Sequence, residues 1–255
     1  MLVGTASVER LLQSQATATI AAFGTEPIRC DDVACLQMTA EMRNRAREAI
    51  LPASLHPTVP AALSLQVWSV GASPWGPFRM AIARAACRSG VRARGFTLAT
   101  FASSATACAA LRDRLGFPAR EATVNLRHGY DGVDATVAFG GREILRVRGI
   151  DPEPMSVDDV QYTGTLNLAR TPNGLRLVQL EADHVATRIE RLRAELATFD
   201  ASAWGSALLD PYLVVSASLA RETVTLPPIR FVCKTDELAF TGTEAVGAAS
   251  PATDG

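Results

Sequence analysis

The chain has 255 residues, 48% of them hydrophobic and 20% charged, with a formal net charge of -1. This is the composition of an ordinary globular protein, which excludes a disordered chain, a collagen and a membrane span. The near-neutral balance offers no basic field for nucleic acid or anionic lipid, so neither is expected as a partner.

The opening MLVGTASVERLLQSQ lacks the positive start and unbroken apolar core of a secretory signal, so a cytoplasmic location is expected. Val8, Leu11, Leu12, Ile20 and Phe23 fall mostly on one helical face after Ser7 and predict a first helix. Thr39 is placed to cap a second over AEMRNRAREAIL, stopped by Pro52, so residues of about 5–50 read as a helical N-terminal segment. From 62 to about 182 the period changes to two. ALSLQVWSV, FRMAIARAAC, GFTLATF, EATVNLR, GVDATVAF, REILRVRG, VQYTGTLNLA and GLRLVQLE all read as strands. Phe139-Gly140-Gly141-Arg142 and Pro172-Asn173-Gly174 supply hairpin turns. One helix interrupts the strands, ATACAALRDRL, capped by Ser103 or Ser104 and ended by Gly116. Another is expected over 184–199, where Val185, Ile189, Leu192, Leu196 and Phe199 form a four-three stripe that Asp183 can cap. PYLVVSASLA and TVTLPPIRFVCK supply the last strands. The small, polar end of the chain predicts a disordered tail over 241–255 after a single domain over 1–240. The expected class is α+β, dominated by antiparallel strands.

Cys30, Cys35, Cys87, Cys108 and Cys233 contain no C-x-x-C, so buried free thiols are expected. Only His56, His128 and His184 are present, without metal-ligand spacing, and no metal or other cofactor is expected. Of the 25 basic residues only Lys234 is a lysine, so 25 minus 1 leaves 24 arginines. A guanidinium can clamp a carboxylate but cannot act as an amine nucleophile. Alternation in IRFVCK puts Ile229, Phe231 and Cys233 on one face and Arg230, Val232 and Lys234 on the other, so Lys234 is predicted to point outward. Asp158-Asp159, read as consecutive strand residues, face opposite ways and make no shared acid/base pair.

LPASLHPTVPAALSLQVWSV, then SPWGPFRMAIARAACRSGVRARGFTLATF, then ALRDRLGFPAREATVNL, and late in the chain LLDPYLVVSASL, resemble the acetoacetate decarboxylase family over about residues 50–235. The resemblance implies a cone-like antiparallel β-barrel with flanking helices, an enclosed pocket and a homo-oligomer. In that family a lysine amine condenses with a β-keto acid, and the protonated imine accepts the electrons released with carbon dioxide. Carried over residue by residue, Arg112, an acid and the Gly116-Phe117-Pro118 turn are kept. The Schiff-base lysine corresponds to Ala119, its neighbouring lysine to Arg120, and the two pocket glutamates to Gln66 and Met80. A methyl group cannot attack a carbonyl, and glutamine and methionine cannot shuttle protons at neutral pH. Classical decarboxylation is therefore not expected.

The expected pocket holds Arg120, Gln66 and Arg112 as catalytic groups, with Trp68, Met80, Ala119, Phe117 and His128 against the ligand. Tyr162 and Glu181 are further candidates. Such a site suits non-covalent lyase, cyclase, dehydratase or isomerase chemistry on a keto, enol or conjugated carboxylic acid in specialised metabolism. The alternative is a non-catalytic member of the superfamily that binds a related ligand or serves in assembly.

Overall fold

Large apolar residues alternate with small or polar ones along most of the chain, and in the computed structural model, which describes residues 2–246, these stretches are strands. In chain order they are β1 (Ala18–Thr19), β2 (Ile28–Met42), β3 (His56–Pro57), β4 (Ala62–Ala72), β5 (Phe78–Ser89), β6 (Arg92–Ala102), β7 (Ala119–Glu121) and β8 (Thr123–His128). They continue with β9 (Gly132–Phe139), β10 (Arg142–Pro154), β11 (Gly164–Thr171), β12 (Gly174–Leu180), β13 (Asp183–Phe199), β14 (Pro211–Leu226), β15 (Phe231–Cys233) and β16 (Thr243–Ala245). The helices are α1 (Val8–Ser14), α2 (Asn44–Arg47), α3 (Ala105–Leu115) and α4 (Ala239–Gly242).

All the strands join one sheet, ordered β16-β15-β12-β11-β6-β5-β4-β2-β14-β13-β10-β9-β8, with β1 on β11, β3 on β5 and β7 on β6. The pairings are antiparallel except β1/β11, β11/β6 and β6/β7. The sheet coils until β8 packs back against β4, β5 and β6. This coil produces two apolar cores. Leu63, Leu65 and Val67 of β4 face the first, with Phe101, Val137, Leu145 and Trp204. Trp68 and Val70 face the second, with Met80, Ile82 and the buried side of α3, Leu111 and Leu115.

The hairpins at Gly140-Gly141 and Asn173-Gly174 form as expected, with positive φ at all three glycines. So does α3, where the Ser104 hydroxyl accepts from the Ala107 N–H and Gly116 ends the helix at φ 72°.

Three expected helical regions differ. The stretch 184–199 is the long strand β13, paired with β14 on one side and β10 on the other. Its stripe also contains a period of two, since Glu190, Leu192, Ala194 and Leu196 turn inward while Arg191, Arg193 and Glu195 are exposed. A bulge between Ala186 and Arg188 breaks the alternation and leaves the four-three pattern. Thr39–Met42 ends β2, because Leu36, Met38, Ala40 and Met42 alternate between two partner strands, and only Asn44–Arg47 turns helical. The first helix stops at Ser14, since Ala18–Thr19 pairs with β11. At the other end, Thr243–Ala245 pairs with β15, so the first part of the expected tail is ordered, while 247–255 lies outside the described residues. Asp158 and Asp159 belong to a single 3-10 turn, not a strand. No helix among the described residues is long and apolar enough to cross a membrane.

Candidate functional site

Neighbouring strands place Ser64 opposite Arg84, Gln66 opposite Ile82, and Trp68 opposite Met80. Gln37 and Cys35 of β2 pair with Gln66 and Trp68, extending the same row of side chains. Directly paired residues point to the same face, so these groups form one wall, turned away from the first core. Against it stand Tyr162 and Thr163 before β11, Glu181 after β12 and His184 on β13, enclosing a cavity of about 220 Å³. Gln66 lines it, and its amide N–H donates to Gln37 Oε1 at 2.6 Å.

Arg84 is the buried charge of its β5 row, which runs Phe78, Met80, Ile82, Arg84 and Ala86 before the exposed Arg88, and it is 3% exposed. Its Nη1 donates to the Thr163 carbonyl at 3.1 Å and to Thr165 Oγ1 at 2.8 Å. Nη2 has only a long contact, 3.5 Å, to Ser64 Oγ, and Nε has no partner. No carboxylate among the described residues forms an ion pair with it. Burial pulls the guanidinium down to about 10, so it remains a cation at neutral pH. Gly95 makes this position possible: a Cβ there would lie 3.0 Å from Arg84 Cδ and 3.1 Å from Nε. A charge held this deep without a counterion is strongly destabilising in an empty protein.

Glu222, fully buried on β14, accepts from the Tyr162 hydroxyl at 2.7 Å and from His184 Nδ1 at 3.0 Å. With Nδ1 donating to a carboxylate, the Nε2 of His184 is left as an acceptor. Tyr162 stacks on His184 with ring centroids 3.6 Å apart, and Trp68 meets the same imidazole edge-on at 6.1 Å. Burial and the Glu222 carboxylate both push the Tyr162 hydroxyl upward, so it stays protonated and donating. Glu222 Oε1 and Trp68 Nε1 are buried without partners. The arrangement therefore unites a fixed cation, a carboxylate-oriented imidazole and an aromatic wall.

Gln66, Trp68, Met80 and Phe117 of the expected pocket line this cavity. Ala119 is 2% exposed, paired with Thr100 on the same side of the sheet, in the apolar cluster of Trp68, Met80 and Phe117. Arg120 goes the other way. Successive residues of β7 face opposite sides, so its guanidinium enters the first core, donates to the Ala203 carbonyl at 2.6 Å, and covers the rings of Phe101 and Phe139. Arg112 is occupied with backbone carbonyls, donating to Ala16, Thr17 and Ala119 and so fastening α3 to its neighbours. His128 ends β8, 3.7 Å from Glu190 and 3.3 Å from Arg221, away from the cavity. Lys234 pairs with Glu237 at 2.6 Å, half exposed, and does not line it. All five cysteines are buried and free.

Arg84 and Glu222 stand outside the expected pocket, yet each has a signal in the sequence, a charge flanked two residues to either side by apolar or small residues of a strand, Ile82 and Ala86 for one and Ala220 and Val224 for the other. His184 has none while 184–199 reads as a helix.

No family sequence model matches the chain, and no curated protein matches it in sequence. Solved structures do match. The acetoacetate decarboxylase of Legionella pneumophila superposes with a TM-score of 0.67 at 18% identity, covering 82% of this chain and 88% of that one. Another acetoacetate decarboxylase gives 0.71 at 12% identity, with 88% and 96% covered. The enduracididine biosynthesis enzyme MppR, solved with the condensation product of pyruvate and imidazole 4-carboxaldehyde, gives 0.64 at 15% identity, with 80% and 88% covered. The chain has the acetoacetate decarboxylase-like fold.

Proposed function

We propose that this chain, built on the acetoacetate decarboxylase-like fold, is an enzyme that enolises a small keto carboxylic acid without forming an imine. The observation that carries the proposal is Arg84, a buried cation on the cavity wall that has no counterion among the described residues. A ligand carboxylate supplies that counterion through a charge-assisted fork, which planar guanidinium groups favour. The keto acid adduct bound by MppR supports the substrate class.

With the carboxylate on Arg84, the carbon next to the carbonyl is presented to His184. Nε2 takes its proton, the electron pair moves into the carbonyl to give an enolate, and Glu222 stabilises the imidazolium through Nδ1–H. Return of the proton to a different atom gives isomerisation, and loss of a neighbouring hydroxyl gives dehydration. The same enolate can close a ring. Trp68 and Met80 keep the site dry, which strengthens each of these interactions. Ala119 excludes an amine at the position where the resembling family places one.

Exchange of the pyruvate methyl protons in D2O, followed by NMR, reads enolisation directly. The protein should catalyse this exchange, and His184→Ala should slow it by about 10²- to 10⁴-fold, the usual contribution of a positioned base. Borohydride added during exchange should leave no covalent adduct. Exchange unchanged by His184→Ala, or a reduced adduct on Lys234, would overturn the proposal.

A further inference from the structure

The inner cavity, about 220 Å³, is smaller than the about 300–1,000 Å³ usual for small-molecule sites. It shares Arg94, Glu181 and Asp183 with a surface groove of about 510 Å³. The groove runs between the β5–β6 hairpin tip and the α4 region, and its walls are apolar where they are most exposed: Val91 and Phe240 are each 82% exposed and Phe231 is 48% exposed. Pro227 and Pro228 also line it.

The partition between the two spaces is an ion pair with a spare partner. Arg94, itself buried, holds the Glu181 carboxylate, which is also 3.2 Å from Arg92. Glu181 is more than half exposed and touches both arginines, so its carboxylate can swing toward Arg92, while the buried Arg94 keeps its contact to the Ala93 carbonyl. At the neck Arg92 and Arg94 are already paired with Glu181 and Asp183 adds further negative charge, so the deeper Arg84, which has no such pair, is the favoured position for a carboxylate.

We propose that the substrate is an amphipathic keto acid whose acidic head reaches Arg84 and whose apolar chain or ring passes the Arg94–Glu181 pair and lies in the groove between Phe231, Phe240 and Val91. This rests on the reading of Arg84 as the carboxylate anchor and extends it to the other end of the molecule.

Calorimetric titration with pyruvate, 2-oxohexanoate and 2-oxooctanoate tests it. Affinity should rise about two- to fourfold per added methylene, as expected for apolar surface leaving water. Phe240→Ser and Phe231→Ser should flatten that dependence and leave pyruvate binding unchanged, whereas Arg84→Met should weaken all three acids at least tenfold. If all three acids bind equally in an Arg84-dependent way, the groove proposal fails and the anchor stands. If Arg84→Met changes nothing, the anchor itself fails and the groove proposal with it. Sedimentation of Phe240→Ser should match the unaltered protein; dissociation to a smaller species would assign the groove to a contact between copies and overturn the proposal.

Discussion

Because burial holds the Arg84 guanidinium at about 10, its charge persists through the neutral range and disappears only as pH approaches that value. Pyruvate affinity is therefore expected to be level from about pH 7 to 9 and to fall as pH rises through about 10, since only the cationic form attracts a carboxylate. Calorimetry across that range checks it, and affinity that rises with alkali would contradict the role. The same residue sets up a trade between stability and function. Arg84→Met removes an uncompensated buried charge and fits the apolar row of Met80 and Ile82, so its melting temperature should equal or exceed that of the unaltered protein while binding is lost. At this scale the sequence was legible only in part. Gln66, Met80 and Phe117 of the cavity wall are legible through the family resemblance, and Trp68 through the strand period it shares with Gln66. Arg84 carries no motif that marks it, and the motif that points Arg120 to the pocket is overruled by alternation in β7, which sends it to the opposite core.

Strand β13 shows how an element can carry two periods at once. Its residues Glu190, Leu192, Ala194 and Leu196 keep a period of two toward the first core, while Ile189 packs into the second, so the neighbours Ile189 and Glu190 are both buried. A helical stripe is what remains visible in the sequence. Where local signals did not compete with strand pairing, they were decisive. Helix α3 begins at the Ser104 hydroxyl and ends at Gly116, whose φ of 72° is strained for any residue with a Cβ. That Cβ would also lie 3.0 Å from Ala169 Cβ. Gly116→Ala should therefore destabilise the protein by about 1–2 kcal/mol, lowering the melting temperature by about 2–8 °C for a chain of this size. Scanning calorimetry reads this, and an unchanged transition would show that the turn relaxes elsewhere.

Over the whole molecule, the β-dominated class is legible from alternating strands and turn residues and the coiled sheet from the family resemblance, while the division into two cores and the counterion balance of the site depend on side chains brought together from distant strands. The same interior has an alkaline weakness. Burial pushes Cys30 up to about 11, Cys87 up to about 12 and Cys35 well upward, above an ordinary thiol at about 8.5. The unfolded chain releases these protons first, so the folded chain binds more of them and stability falls as pH rises above about 9, by up to about 1.4 kcal/mol per pH unit for each thiol. Arg84 acts in the opposite direction above about 10, where the unfolded chain keeps a proton that the folded one has lost. Replacing Cys30 and Cys87 by Ala should flatten the decline between pH 9 and 10, measured by thermal denaturation. The central claim, that a buried arginine takes over substrate capture where a lysine imine has been given up, is tested most directly by a crystal structure of the complex with 2-oxohexanoate. The ligand carboxylate is expected within hydrogen-bonding distance of Arg84 Nε or Nη2, with its carbonyl carbon free of any covalent link. A carboxylate bound elsewhere, or a carbonyl carbon joined to Lys234, would contradict it.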